Sequence, residues 1–235
     1  MKREPIHANV QPLLVELERL SAAKRRDEMG PRYGIHTDKA FGVSMADLQK
    51  IARRIGRDHA LAAALWETGW YEARALAALI DAPEQVSAAQ MDRWCCDFDN
   101  WAICDTACMH LFDRTPHAFG KVAQWARRRE EFVRRAAFAL LASLALHDKS
   151  TASKPFADCL PLIDAAATDE RNFVKKSVNW ALRAIGERNR ELNSAAIALA
   201  QRLAASDDAS SRWVGKDALK QLSRPAVLKR LAKRG

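Results

Sequence analysis

The chain has 235 residues, 49% of them hydrophobic and 29% charged, with a formal net charge of +9. That composition is too apolar for a disordered chain, and the length is enough to bury a substantial core. No run approaches the ~18 consecutive apolar residues of a transmembrane helix, and Met1-Lys-Arg-Glu-Pro-Ile-His7 lacks the apolar stretch of a secretory signal; the expectation is a cytoplasmic protein with no membrane partner.

Nearly every segment reads as helix, because Ala, Leu, Arg, Glu and Lys dominate and apolar residues recur at i, i+3 and i+4. A first helix is predicted from Val10 to Glu28, stopping at Gly30-Pro31, and a loop follows from Arg32 to Val43. Ser44, with Asp47 in the capping-box position, opens a helix to Gly56. Asp58 opens the next, reaching Thr68-Gly69, and Trp70 to Ile80 ends at Asp81-Ala-Pro83. Further helices are predicted over Ser87–Cys96, Asn100–Phe112, Pro116–Arg129, Glu131–Leu146 and Phe156–Ala167. The last four are Asn172–Arg188, Glu191–Ala205, Ser211–Leu222 and Pro225–Lys233. The polar stretch from Leu146 to Pro155 reads as a loop.

Three of these helices open alike: Phe132-Val133-Arg134-Arg135, Phe173-Val174-Lys175-Lys176 and Trp213-Val214-Gly215-Lys216. The copies stand 41 and 40 residues apart, a period that signals stacked helical pairs. Weaker copies open with Trp70-Tyr71 and Asn100-Trp101. At ~100° per residue, Val133, Ala136, Ala137, Leu140 and Leu144 form one stripe with Arg135 nearly opposite. In the next copy, Val174, Val178, Ala181, Leu182 and Ile185 do the same with Lys176 opposite. The expected fold is an all-α, HEAT-like solenoid forming one domain over 1–235, with a row of cations on an exposed concave face.

Charge placement agrees with that face. From Arg171 to Gly235 there are 15 Lys and Arg against 5 Asp and Glu, while the remaining 170 residues carry 23 against 24. The basic excess of the C-terminal quarter suggests a polyanion partner; a solvated tail such as Lys229-Arg230 and Lys233-Arg234 covers only its end. Five cysteines (Cys95, Cys96, Cys104, Cys108 and Cys159) are an odd count and fit reduced thiols. A zinc site from Cys95, Cys96, Cys104, Cys108 and His110 lacks the paired Cys-x-x-Cys spacing, so no metal is expected.

Three side chains stand off the apolar stripes. Trp180 projects roughly 135° from the apolar centre of its helix, on the side of Lys176 and Arg183. Trp101 and Asp105, at i and i+4, share one face at the edge of the stripe Ile103, Cys104, Ala107, Cys108 and Leu111. A carboxylate turned toward a polyanion is disfavoured unless it serves a cation there. An N-alkylated purine nucleotide is such a cation, and its base leaves neutral without a general acid. Asp105 would then stabilise the oxocarbenium-like sugar and orient water, and the faces of Trp101 and Trp180 would hold the cationic nucleotide.

At these residues the sequence resembles the HEAT-repeat DNA alkylation-repair glycosylases of the AlkD type. The resemblance runs from about Tyr33 to Leu222 and is strongest in Asn100-Trp101-Ala-Ile-Cys-Asp105, Phe132-Val-Arg-Arg135-Ala and Phe173-Val-Lys-Lys-Ser-Val-Asn-Trp180-Ala-Leu-Arg183. Arg212-Trp-Val-Gly-Lys216-Asp-Ala-Leu belongs to the same set. It implies a catalytic Trp101–Asp105 pair, a second active-site tryptophan at Trp180 and a phosphate-gripping Arg135. Arg134, Lys175, Lys176, Arg183, Arg212 and Lys216 are the further DNA-binding candidates. The implied activity is that of a monomeric, cofactor-free glycosylase excising 3-methyladenine and 7-methylguanine from duplex DNA without flipping the base. The family commonly has an acidic residue directly after the first tryptophan, where this chain has Ala102. The alternatives are a non-catalytic HEAT protein recognising bent or branched DNA, and a protein–protein scaffold.

Overall fold

Side chains of Ser, Asp or Asn cap the starts of six helices among the described residues. In the computed structural model, which describes residues 9–233, Ser44, Asp58, Ser87, Asn100, Asn189 and Asp208 each accept a hydrogen bond from a backbone N–H in the first turn that follows. Each satisfies a donor that has no partner inside the helix. The Met1–His7 reading and Arg234 of the basic tail lie outside the described residues. Among the described residues there are helices and connecting turns but no strand, and no helix is long and apolar enough to cross a membrane.

The chain groups into two units, one ending at Thr115 and the other beginning at Pro116. The first contains α1 (Val10–Arg19), α2 (Ala23–Tyr33), α3 (Met45–Ile55), α4 (His59–Glu67), α5 (Tyr71–Ile80), α6 (Ala88–Cys96) and α7 (Trp101–His110). The single helix expected over Val10–Glu28 is two helices, broken at Leu20–Ala22. Gly30-Pro31 lies inside α2 rather than ending it. Gly34, at φ +64°, takes the left-handed position that stops the helix. Its N–H donates to the Gly30 carbonyl, the bond of an αL closure, and the Ile35 N–H donates to the Met29 carbonyl. Aromatic stacking fills the core, where Trp66 lies flat on Trp94 with ring centroids 4.0 Å apart.

The second unit contains α8 (Ala118–Trp125), α9 (Glu131–His147), α10 (Ser153–Ala157), α11 (Leu160–Ala166), α12 (Asn172–Gly186), α13 (Arg190–Ala204), α14 (Ala209–Leu222) and α15 (Pro225–Ala232). The helix expected over Phe156–Ala167 is split, and α10 begins inside the stretch expected to be a loop. The three repeat copies open α9, α12 and α14, with α12 packed on both α9 and α14. Val133, Val174 and Val214 are all buried, as one register requires. The copies are also stitched by side chains: Arg135 donates to the Phe173 carbonyl at 2.7 Å, and Asn179 to the Val214 carbonyl at 3.1 Å. At Gly215 a Cβ would come within 2.3 Å of the Ala204 backbone nitrogen, so only glycine lets α14 lie this close to α13.

Candidate functional site

In the first unit the site is built on the start of α7. The Asn100 side chain accepts from the N–H groups of Ala102 and Ile103, both at 3.0 Å, which fixes how the chain enters the helix. Ile103, Cys104, Ala107, Cys108 and Leu111 are buried, and Trp101 and Asp105 lie half-buried beside them, one turn apart. The indole N–H of Trp101 donates to the Tyr33 carbonyl at 2.8 Å. That carbonyl is one of the C-terminal acceptors of α2 that helix geometry leaves without an internal partner. The ring is thereby pinned, and it packs with Tyr71 against Met29, Ile35 and Ala40.

Beside Trp101 lies a cavity of about 600 Å³ whose walls include Tyr33, Tyr71, Arg25 and Glu72. Burial, and then the neighbouring Glu72 carboxylate, push the Tyr71 hydroxyl up to about 12, so it remains protonated. Glu72 is fully buried and accepts from the N–H groups of Phe41, Gly42 and Val43 at 2.9, 2.7 and 3.2 Å. Neither residue was singled out from the sequence. The available signal was a lone carboxylate on the apolar Leu76–Ile80 face of α5.

The second unit carries Trp180 and the cations, and one expectation is corrected there. Arg135 does not stand on an exposed face: it is 6% exposed, its guanidinium held against the Phe173 carbonyl. The physical reason is that α9 is covered on all sides. Phe138, Ala139, Leu141 and Ala142 are as buried as the stripe that was read as its only apolar face. Of the three repeat cations, Lys176 and Lys216 are exposed and Arg135 is not. Lys175 lies over the ring of Trp213 at 5.3 Å. Arg134 pairs with Asp169 at 3.2 Å, Arg183 lies 4.0 Å from Asp217, and Arg212 donates to the Ser206 carbonyl at 2.8 Å. Trp180 is half-buried, while Ser177, Val178, Asn179, Ala181 and Leu182 around it are buried.

Cys95, Cys104, Cys108 and Cys159 are buried and Cys96 is exposed, and burial raises the proton affinity of two of the buried thiols. Burial, followed by Cys104, Asp105 and Cys95, pushes Cys108 well above the ordinary thiol range. Burial and then Asp158 take Cys159 up to about 11. Among the described residues no three His, Cys, Asp or Glu side chains are grouped to hold a metal ion.

The different settings of Arg135 and Lys176 give a testable contrast. Arg135→Ala is expected to destabilise the fold by about 1.5–3 kcal/mol, the range for a hydrogen bond from a charged group, and to leave the salt dependence of DNA binding unchanged. Lys176→Gln is expected to spare stability and to flatten the slope of log K against log salt by about 0.9. Urea unfolding and binding titrations at several salt concentrations check both.

Comparison with known proteins places this arrangement. Residues 13–222 match the family model described as DNA alkylation repair enzyme. No curated protein matches the chain. A solved structure described as a new family of proteins related to the HEAT-like repeat DNA glycosylases, with affinity for branched DNA structures, superposes with a TM-score of 0.75. The two chains are 19% identical, and the match covers 91% of this chain and 95% of the other. The all-α, HEAT-like repeat fold follows from that likeness, and the family match covers most of the chain: the protein belongs to the DNA alkylation repair enzyme family, of the AlkD type.

Proposed function

We propose that the protein is a monofunctional DNA glycosylase that hydrolyses the N-glycosidic bond of cationic alkylated purines, 3-methyladenine and 7-methylguanine, in duplex DNA. The observation that carries the reading is the Trp101–Asp105 pair: a carboxylate one helical turn from an indole whose orientation is fixed by the Tyr33 carbonyl. When the C1′–N bond breaks, its electron pair goes to the base, which leaves neutral. Positive charge then builds on the sugar, where the Asp105 carboxylate stabilises it. Water adds to C1′ and loses a proton to Asp105 or to solvent. The face of Trp101 attracts the cationic base before cleavage and loses that attraction afterwards, so the contact favours substrate over product. Trp180 is assigned the same kind of contact. The exposed Lys176 and Lys216 are assigned to phosphates, and engagement of the backbone rather than a flipped base is part of the reading.

The test is release of free base. Methylated duplex DNA incubated with the protein is expected to yield 7-methylguanine and 3-methyladenine, leaving abasic sites. No release under conditions where the protein binds DNA would sink the reading. That outcome would favour a non-catalytic protein recognising branched DNA, the second reading, which the affinity of the structural neighbour supports.

A further inference from the structure

The aromatic residues of the repeat form a series that ends in an exposed ring. Phe132 and Phe173, the first two, are half-buried and lie against each other with centroids 5.6 Å apart. The third, Trp213, is larger and is 41% exposed, with Lys175 over its ring at 5.3 Å. On α14, Lys216 and Lys220 follow it at i+3 and i+7 and are exposed on the same side, while Val214, Ala218 and Leu222 face the core. On α12, Lys176 is exposed next to Lys175. The one carboxylate of α14, Asp217, faces Arg183 at 4.0 Å. A part-exposed indole with Lys175 over one face, on a helix side that also carries the exposed Lys216 and Lys220, is poorly suited to an apolar protein surface, since docking there would desolvate the ammonium groups. It is well suited to a nucleotide: the ring stacks on a base, and the lysines meet the phosphates on either side.

We infer that Trp213, with Lys175, Lys176, Lys216 and Lys220, is a stacking platform for an unpaired nucleotide of DNA. Its stacking ring, Trp213, is distinct from Trp101, Asp105 and Trp180, which are assigned to base release, while Lys176 and Lys216 serve phosphates in both readings. It gives the protein affinity for single-stranded segments, where a base face is available without the cost of unstacking a duplex. The inference rests on DNA being the ligand but not on glycosylase activity.

The probe is fluorescein-labelled oligothymidylate, titrated by fluorescence anisotropy beside an undamaged blunt duplex. Trp213→Ala is expected to weaken oligothymidylate binding about 5- to 150-fold, the range for loss of one base–aromatic stack. It should leave the salt slope, the duplex affinity and the melting temperature unchanged. Trp213→Phe is expected to stay within about threefold of wild type because a stacking face remains. Lys216→Gln should instead flatten the single-strand salt slope by about 0.7. Three outcomes overturn the inference: Trp213→Ala binding oligothymidylate like wild type, Trp213→Ala losing single strand and duplex equally, or wild type failing to bind oligothymidylate. The last is the result expected of a protein-docking face. Base release from methylated duplex, measured on the same samples, separates the two readings. Release without stacking removes only the platform, and stacking without release removes only the glycosylase.

Discussion

Asp105→Asn is expected to slow base release about 10²- to 10³-fold, the loss seen when one stabilising group aimed at developing charge is removed. The substitution keeps size and shape and removes the charge that opposes the oxocarbenium-like sugar. Because the effect belongs to the transition state, it should appear in the single-turnover rate with enzyme in excess. Affinity for undamaged duplex should stay the same or rise slightly, since one negative charge near a polyanion is gone. The neighbours argue that the fold will tolerate the change: Asp105 is half-buried at the edge of α7, whose packing stripe is made by other residues. A single-turnover rate within about threefold of wild type would show that Asp105 is not the stabilising charge, because that difference is far below the effect of such a group.

The helices were legible where caps and periodicity agreed, and misread where tertiary contacts decided. Ser44, Asp58, Ser87 and Asn100 stand where the sequence placed helix starts, because each short polar side chain satisfies first-turn N–H groups by a local contact. Gly30-Pro31 misled in the other direction. The pair reads as a stop, yet α2 runs on to the Gly34 turn, where the Tyr33 carbonyl meets the Trp101 indole. The repeat register placed Val133, Val174 and Val214 in the core but not Arg135, since a single helical wheel assumes one covered face and α9 is covered on all of them. The string Ala136-Ala-Phe-Ala-Leu-Leu-Ala142 in fact held that signal, being apolar all round. The Trp101–Asp105 pair was legible because both members sit on one helix. What surrounds it was not, because Tyr33, Tyr71 and Glu72 reach it from α2 and α5 through contacts that no sequence spacing records.

Glu72→Ala is expected to destabilise the protein by about 3–5 kcal/mol, the range for removing one partner from a buried charged interaction. The carboxylate of Glu72 is the acceptor for three successive backbone N–H groups, from Phe41 to Val43. The same loop is tied from its other side. Its Phe41 carbonyl accepts from the Ala22 N–H at 3.0 Å and its Gly42 carbonyl from Arg25 at 2.6 Å, while the Lys39 carbonyl accepts from the Tyr71 N–H at 2.8 Å. Gly42 sits at φ +80°, where a Cβ would come within 2.5 Å of the Ala22 carbonyl oxygen, so the loop has no room to close over the space left by a truncated side chain. The three N–H groups would stay buried without an acceptor, each at a desolvation cost of order 1–3 kcal/mol when nothing relaxes. Glu72→Gln keeps one acceptor oxygen and is expected to lose about half as much, because the amide turns two donors toward a site that already holds donors. Urea unfolding checks both variants, and a loss below about 1 kcal/mol for Glu72→Ala would mean the loop is held by its other contacts alone. The two carboxylates should thus give opposite signatures. Asp105→Asn loses base release at unchanged stability, whereas Glu72→Ala loses stability and, per folded molecule, keeps the Trp101–Asp105 pair that the reaction is assigned to.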